Sequence, residues 1–299
     1  MKQLTGTTIE WKTIATLFKT LLQKKVAIVS GGGTGIGYSI TKELVSLGCT
    51  VIITSRDLSK CHEAVDKIKK EQESNVGKAV VGPSTNIRKE EDVQSLISHV
   101  VKEFGSVDIL VNNAGGQFVC AAEDLSSKGF AAVVETNLLG TFQMCREAYN
   151  QYMKDHGGCI VNITLGNRNG MPCMVHSGAA RAGIENMTAT LCSEWMESSV
   201  RINCVRPGII WTESGFANYG PMGDAFIDKI LPSLPAKRFG SPEEVSSAVV
   251  WLCTEGSSYV TGSVICVDGG SAFHFLPLIE IEDHTHLNVY GSLPRKAML

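Results

Sequence analysis

Between residues 24 and 270 the chain alternates short apolar runs with stretches of helical character, and few folds accept that rhythm. The runs are "KKVAIVS" (24–30), "TVIITS" (50–55), "KAVVGPST" (78–85), "VDILVNN" (107–113), "GGCIVNIT" (157–164), "RINCVRPG" (201–208) and "VICVDGG" (264–270). Runs of this length joined by helices read as parallel strands with crossover connections. Seven of them predict an α/β fold: a single Rossmann-type, doubly wound domain with a seven-stranded parallel sheet over residues 24–272. No linker, low-complexity run or internal repeat breaks the rhythm. Residues 1–23 read as an N-terminal lead-in helix and residues 273–299 as a C-terminal tail.

The first turn of this pattern carries chemistry. "SGGGTGIG" (30–37) follows the first strand and opens a helix. Gly31, Gly35 and Gly37 let the backbone turn tightly and approach a pyrophosphate, while the helix N-terminus supplies unpaired N–H groups and partial positive charge. The end of the second strand then selects the dinucleotide. A carboxylate there would hold the ribose 2′-hydroxyl of NAD, but this chain reads "ITSRDLSK", with Ser55 and Arg56 at the turn and Lys60 a helical turn on. Arg56 suits a 2′-phosphate, so NADPH is the expected cofactor, although Asp57 is acidic and Arg56 also reads as a solvated loop charge.

Composition narrows the partners. A hydrophobic fraction of 43%, a charged fraction of 19% and a formal net charge of -3 carry no sign of disorder or of a nucleic-acid surface. The 10 cysteines are scattered without a CxxC pair, as expected of reduced core thiols rather than of a disulfide framework or metal site. No apolar run is long enough to span a bilayer. Residues 209–236, with Trp211 and Phe216 as aromatic anchors, form a long excursion of the kind that makes a lid. A helix is expected to follow, with Ser241 as N-cap, Pro242 in the first turn, and Glu243 and Glu244 near its positive end.

"GGGTGIG" (31–37), "VNNAG" (111–115), "TNLLGTF" (136–142), "INCVRPG" (202–208) and "YVTGSVICVDGG" (259–270), in this order and spacing, resemble the short-chain dehydrogenase/reductase family. The likeness covers about residues 24–272. More narrowly, "NNAGGQF", "HSGAARAG", "NYG" followed by "PAKRFG", and "PEEVSS" resemble the peroxisomal trans-2-enoyl-CoA reductases. That resemblance implies NADPH-dependent saturation of the 2,3 double bond of acyl-CoA thioesters in fatty-acid chain elongation. It places Gly31, Thr34, Gly35, Ile36 and Gly37 around the pyrophosphate, and Ser55 and Arg56 at the adenosine 2′-phosphate. Asn86 falls beside the adenine, Asn113, Ala114 and Gly115 along the ribose, and Pro207, Gly208 and Ile210 over the nicotinamide. Asn113 and Asn137 also read as residues that bind neighbouring backbone.

The resemblance departs from its pattern at the catalytic positions. The family's Asn, strand Ser, Tyr and Lys fall on Asn137, Thr164, Ser177 and Arg181, so three of the four differ. Ketone reduction leaves an alkoxide that must take a proton, which a serine beside an arginine serves badly. Reduction of an unsaturated thioester instead puts charge on the thioester oxygen, where fixed donors help most, and Ser177 and Arg181 fit that need. Candidates for the Cα proton are water, His176 and, less well placed, Tyr149, Tyr152 and Tyr219. Gln117 reads either as a contact to the thioester or pantetheine or as a loop-capping amide.

Two other functions stay open on the sequence. One is a 2,4-dienoyl-CoA reductase, whose relatives share the Ser in place of Tyr but favour Lys where Arg181 stands. The other is a non-catalytic NADPH-binding protein. His274, His284 and His286 in the tail make no convincing metal cluster. The C-terminal Ala297-Met298-Leu299 matches a Ser-Lys-Leu-type peroxisomal address at its outer positions but not its middle one. The expected location is the peroxisome, with the cytoplasm as alternative, and the resemblance implies a homotetramer.

Overall fold

The computed structural model describes residues 21–71, 77–166, 170–212, 230–273, 289–294 and 297. Its sheet has the order β3-β2-β1-β4-β5-β6-β7, every pairing parallel. The strands are β1 (Val26–Ser30), β2 (Thr50–Thr54), β3 (Lys78–Val81), β4 (Ile109–Asn112), β5 (Gly158–Ile163), β6 (Val200–Pro207) and β7 (Val264–Val267). Each lies inside its apolar run or within one residue of it. β3 stops four residues early, where Pro83, with no N–H to give the ladder, follows Gly82.

Strand alternation sorts the side chains onto two helical layers. Ala27 and Val29 face a core shared with α1 (Gly35–Ser46), α2 (Ser59–Glu71) and α7 (Pro242–Leu252). Val26 and Ile28 face the opposite core, against α3 (Glu90–Phe104), α5 (Gly140–Ala148) and α6 (Val175–Glu194). Both faces are covered, so the central strands are mostly apolar rather than alternating with polar residues. Chain order reverses between β1 and β4, which opens a crevice at the carboxyl ends of those two strands.

Two features shape the surroundings of that crevice. Asn112 Nδ2 donates to Asn162 Oδ1 (2.8 Å) across β4 and β5, and Asn162 Nδ2 donates to Thr188 Oγ1 (2.9 Å) on α6. This buried polar ladder pins α6 to the sheet in one register, which an apolar contact would not specify. The helix that begins with α4 (Ser127–Val134) passes through a π-helical turn, Glu135–Leu139, before α5. Wide turns of this kind are frequent at functional sites, and this one carries Asn137.

The N-terminus of α7 forms as expected and adds a reciprocal cap: Ser241 Oγ accepts from Glu244 N, and the Glu244 carboxylate accepts from Ser241 N. The described part of the tail folds back on this helix. Ser241 Oγ also donates to Tyr290 O, and the buried Ala297 accepts from Phe239 N (3.1 Å). Residues 1–20, Phe216, Tyr219, the three tail histidines, Met298 and Leu299 lie outside the described residues. Trp211 does act as an anchor, stacked on Phe239 with centroids 6.1 Å apart. Among the described residues no helix is long and apolar enough to cross a membrane.

Candidate active site

The dinucleotide side of the crevice is made of backbone. Gly31 and Gly35 hold φ of +66° and +52°, the left-handed region where only glycine is unstrained. Gly37 has a different reason: a Cβ there would collide with the Gly31 carbonyl oxygen and the Asn113 amide. α1 opens at Thr34 with no side-chain cap and no acid in its first turn, so its first amides stay available to an anion. Asn113 braces this loop. Its Nδ2 donates to Ser30 O and Gly31 O, both at 3.1 Å, so the side chain fixes the glycine turn, as the backbone-binding reading held. Ala114 N donates to Ser30 Oγ (3.1 Å), closing the same seam.

At the end of β2 the two charged neighbours behave differently. Asp57 turns back on its own turn, accepting from Ser59 N (3.0 Å) and Ser59 Oγ (2.6 Å), and these bonds hold its carboxyl below the usual range. Arg56 makes no ion pair among the described residues. The acid is committed and the cation is free, which fits a 2′-phosphate better than a bare ribose. Asn86 Oδ1 accepts from Arg88 N (3.2 Å) at the head of the next crossover. Pro207 ends β6, Gly208 N donates to Val267 O (2.9 Å), and Ile210 bridges to Gly240, so these three line the far carboxyl edge. There a cavity of about 320 Å³ opens between Ile209, Ile210 and Leu234, with Asp268 on its rim; Ser177 and Arg181 do not line it.

Three of the four catalytic positions converge on one tripeptide after β4. Arg181 packs its guanidinium so closely on Gly115 that a Cβ there would overlap it. Asn137 is fully buried and grips Gly116 twice: Oδ1 accepts from Gly116 N and Nδ2 donates to Gly116 O, both at 3.0 Å. Ser177 Oγ donates to Gln117 Oε1 at 2.7 Å. Thr164 is engaged elsewhere, its hydroxyl donating to Glu185 Oε1 (3.1 Å) and Val205 O (3.4 Å). Glu185 in turn pairs with Arg206 through both of its oxygens. Sequence reading missed this Glu185–Arg206 pair; the signal available was an acid four residues after Arg181, on the same helix face.

Arg181 is the electrostatic centre. Its NH1 donates to Ile163 O (2.7 Å), yet its Nε is buried without a partner, and it forms no ion pair among the described residues. Burial alone pulls the guanidinium down from 12.5 to about 10, so it stays charged near neutrality. An uncompensated buried cation is costly unless charge appears beside it. His176, proposed above as an acid, is fully buried and its Nδ1 accepts from Ser177 N (2.9 Å), satisfying an orphan amide of the first turn of α6. Its ring meets Phe118 edge-on at 4.5 Å. Tyr149 and Tyr152 pack in the core on the α3 and α5 side, Tyr149 stacked on Trp195.

Comparison with known proteins then fixes the family. The family model described as "Enoyl-(Acyl carrier protein) reductase" matches residues 31–272. The chain belongs to the short-chain dehydrogenase/reductase family. It is 40% identical over 255 residues to a peroxisomal 2,4-dienoyl-CoA reductase [(3E)-enoyl-CoA-producing] of Danio rerio, covering 84% of this chain and 82% of that one. It is 38% identical over 252 residues to the protein of the same name from Rattus norvegicus, covering 84% and 85%. Among solved structures it resembles a citronellol catabolism dehydrogenase of Pseudomonas aeruginosa, with TM-score 0.73, 38% identity and coverage of 85% and 97%.

These relatives correct the narrower expectation. The sequence was read as an NADPH-dependent trans-2-enoyl-CoA reductase, and the relatives act, by name, on 2,4-dienoyl-CoA. The correction has a physical origin. Ser177 and Arg181 argue for charge on a thioester oxygen, and that charge appears whether the hydride enters an enoyl or a dienoyl chain. Those two residues bear on where charge collects and do not count double bonds. Arg181 in place of Lys does not separate the two reactions either, because both residues are cations at neutral pH.

Proposed function

We propose that this protein is an NADPH-dependent 2,4-dienoyl-CoA reductase acting in the peroxisome. The observation that carries the proposal is the buried, unpaired Arg181 beneath the Gly115–Gly116–Gln117 turn, in a chain 40% identical to a protein of that name. The first turn of α1 fits the pyrophosphate, and Arg56, left free by the inward turn of Asp57, fits the 2′-phosphate. When bound, NADPH supplies the hydride.

The chain's own residues handle the charge that follows. To yield a 3-enoyl product from a 2,4-dienoyl thioester, hydride enters C5. The C4–C5 π pair moves to C3–C4, the C2–C3 pair moves to C1–C2, and negative charge collects on the thioester oxygen. Protonation at C2 then leaves the double bond at C3. The guanidinium of Arg181, itself buried, supplies positive potential beneath the turn, and the turn it supports holds hydrogen-bond donors in fixed positions. Neither residue needs to change protonation state. Two relatives are named peroxisomal, and that name supports the location.

The test is NADPH oxidation with a 2,4-dienoyl-CoA thioester, with the product double bond located by NMR. The expected product is the 3-enoyl thioester. Turnover confined to 2-enoyl thioesters, or no turnover at all, overturns the proposal.

A further inference from the structure

We infer that Cys120 and Cys173 form an oxidative modification site: a hydroperoxide converts the two thiols to a disulfide that locks the outer lip of the cleft. The effect of that lock on turnover rests on the reading of this site as a thioester reductase; the formation of the bond does not. Two segments meet above the catalytic turn, the one leaving β4 and the one entering α6. Three contacts join them in order outward: Ser177 Oγ to Gln117 Oε1 (2.7 Å), the His176 ring edge-on to Phe118 (4.5 Å), and Cys120 N to Cys173 O (2.8 Å). The outermost contact sets two cysteines, distant in sequence, side by side.

The backbone suits the bond. With standard covalent dimensions, an N–H···O contact of that length holds the two Cα atoms no more than about 6.7 Å apart, within the roughly 4.4–6.8 Å that disulfides span. Cys173 also stands where glycine is the usual residue. Met174 N donates to Met171 O (2.9 Å), closing a turn with Pro172 second and Cys173 third, and Cys173 holds a left-handed φ of +63°. That is the pattern of a type II turn, whose third position favours glycine because a Cβ there is strained. A side chain kept in a strained position points to a use for it. Of the 10 cysteines Cys173 is the exposed one and Cys120 is half-buried, whereas six lie in the core. A small oxidant in solution therefore reaches this pair before the core thiols.

The chemistry balances with the peroxide as the only oxidant. One thiol gives up its proton and its sulfur attacks the peroxide; the O–O bond breaks, leaving a sulfenic acid and an alcohol, or water where the oxidant is hydrogen peroxide. The second sulfur attacks the sulfenic sulfur, the S–O bond breaks, water leaves and the S–S bond forms. The thiols lose two electrons and two protons, and the peroxide takes up both. The bond has a structural consequence. Ser177 has no exposed surface and its hydroxyl proton is held by Gln117, so a thioester that reaches Ser177 must part the two segments. A disulfide at their outer end keeps them together, while the Gly31–Gly35 turn on the dinucleotide wall is untouched.

The experiment treats the full chain with hydrogen peroxide, with and without later dithiothreitol, beside Cys120→Ser and Cys173→Ser. Peptide mass spectrometry is expected to find the Cys120 and Cys173 peptides joined in the wild type and in neither variant, and free again after dithiothreitol. Hydrogen exchange across residues 117–120 should slow in the oxidised wild type. For a thioester that the reduced wild type turns over, kcat/KM should fall about 10- to 100-fold on oxidation and return on reduction, with NADPH affinity unchanged. Both variants should match the reduced wild type in melting temperature and turnover, and keep that turnover after peroxide. Peptides that stay unlinked overturn the pair, and a linked enzyme with unchanged exchange or unchanged turnover overturns the lock. A loss of turnover that both serine variants share places the oxidation elsewhere and overturns the proposal too. A wild type that turns over no thioester overturns the reductase reading, while the linked peptides and the exchange still decide the pair.

Discussion

The two walls of the crevice are built on opposite principles. The wall formed by β1, α1 and the end of β2 is backbone: glycines in conformations or contacts that forbid a Cβ, helix amides without a cap, and one free surface cation. The wall formed by the β4 turn and α6 is side chain: Arg181, Asn137 and Ser177 each hold one residue of a single tripeptide, and the central charge is buried without a counter-ion among the described residues. A backbone wall suits a ligand recognised by its phosphates, which ask for many similar N–H groups. A side-chain wall suits a reaction, which asks for particular donors and charge at one atom. Substitutions should therefore damage the first through sterics and binding and the second through turnover, with little crossover.

The hardest blow to the comparison is Gly37→Val. A side chain there runs into the Gly31 carbonyl, so the glycine turn must open and NADPH binding should fall by at least about 100-fold by fluorescence titration. Retained affinity would break the claim that this wall is backbone.

Arg181→Met strikes the other wall, where turnover should drop about 10³-fold with NADPH affinity nearly unchanged. Stability should move the opposite way. The folded pKa of about 10 lies below the ordinary 12.5, so the charged form disfavours folding at all pH below that window. The shift corresponds to a cost on the order of 3 kcal/mol, of which the lost bond to Ile163 O takes back part. The variant should therefore melt higher than wild type at pH 7. Its advantage should shrink as pH rises above about 10, where the native arginine releases its proton. A lower melting temperature at pH 7 would contradict the reading of Arg181 as an uncompensated charge.

The smallest of the three effects is Arg56→Ala. Losing one exposed phosphate contact should raise KM for NADPH roughly 10- to 100-fold and leave KM for NADH where it was. Equal losses for the two dinucleotides would move the 2′-phosphate elsewhere on this wall.

The two walls also differed in how far the sequence revealed them. "SGGGTGIG" and "ITSRDLSK" placed the glycine turn and Arg56 directly, because each requirement is met within a few consecutive residues. On the other wall the sequence supplied Asn137, Ser177 and Arg181 as positions but not their common target. Gln117 lies 60 residues from Ser177, and Gly116 lies 21 from Asn137. Thr164 is the clearest case: the resemblance put it at the family's strand-serine position, just after β5, and only the fold shows that α6 brings Glu185 alongside to accept a hydrogen bond from its hydroxyl. His176 also has a local role, serving as the acceptor for an amide that Met174, a non-capping residue, leaves unmet.

By itself the sequence determined the seven-stranded parallel sheet, the helical crossovers and the dinucleotide turn, and through Ser177 and Arg181 it argued against ketone chemistry. These follow from periodicity, from glycine's freedom at particular φ and from the proton inventory of single side chains, all of which are local. Only the tertiary structure decided which hydroxyl and amide protons are already spent, that Arg181 is buried without a counter-ion among the described residues, and that three distant residues close on one turn. Those are properties of pairs, and a pair exists only once the sheet and α6 have brought its members within hydrogen-bond reach.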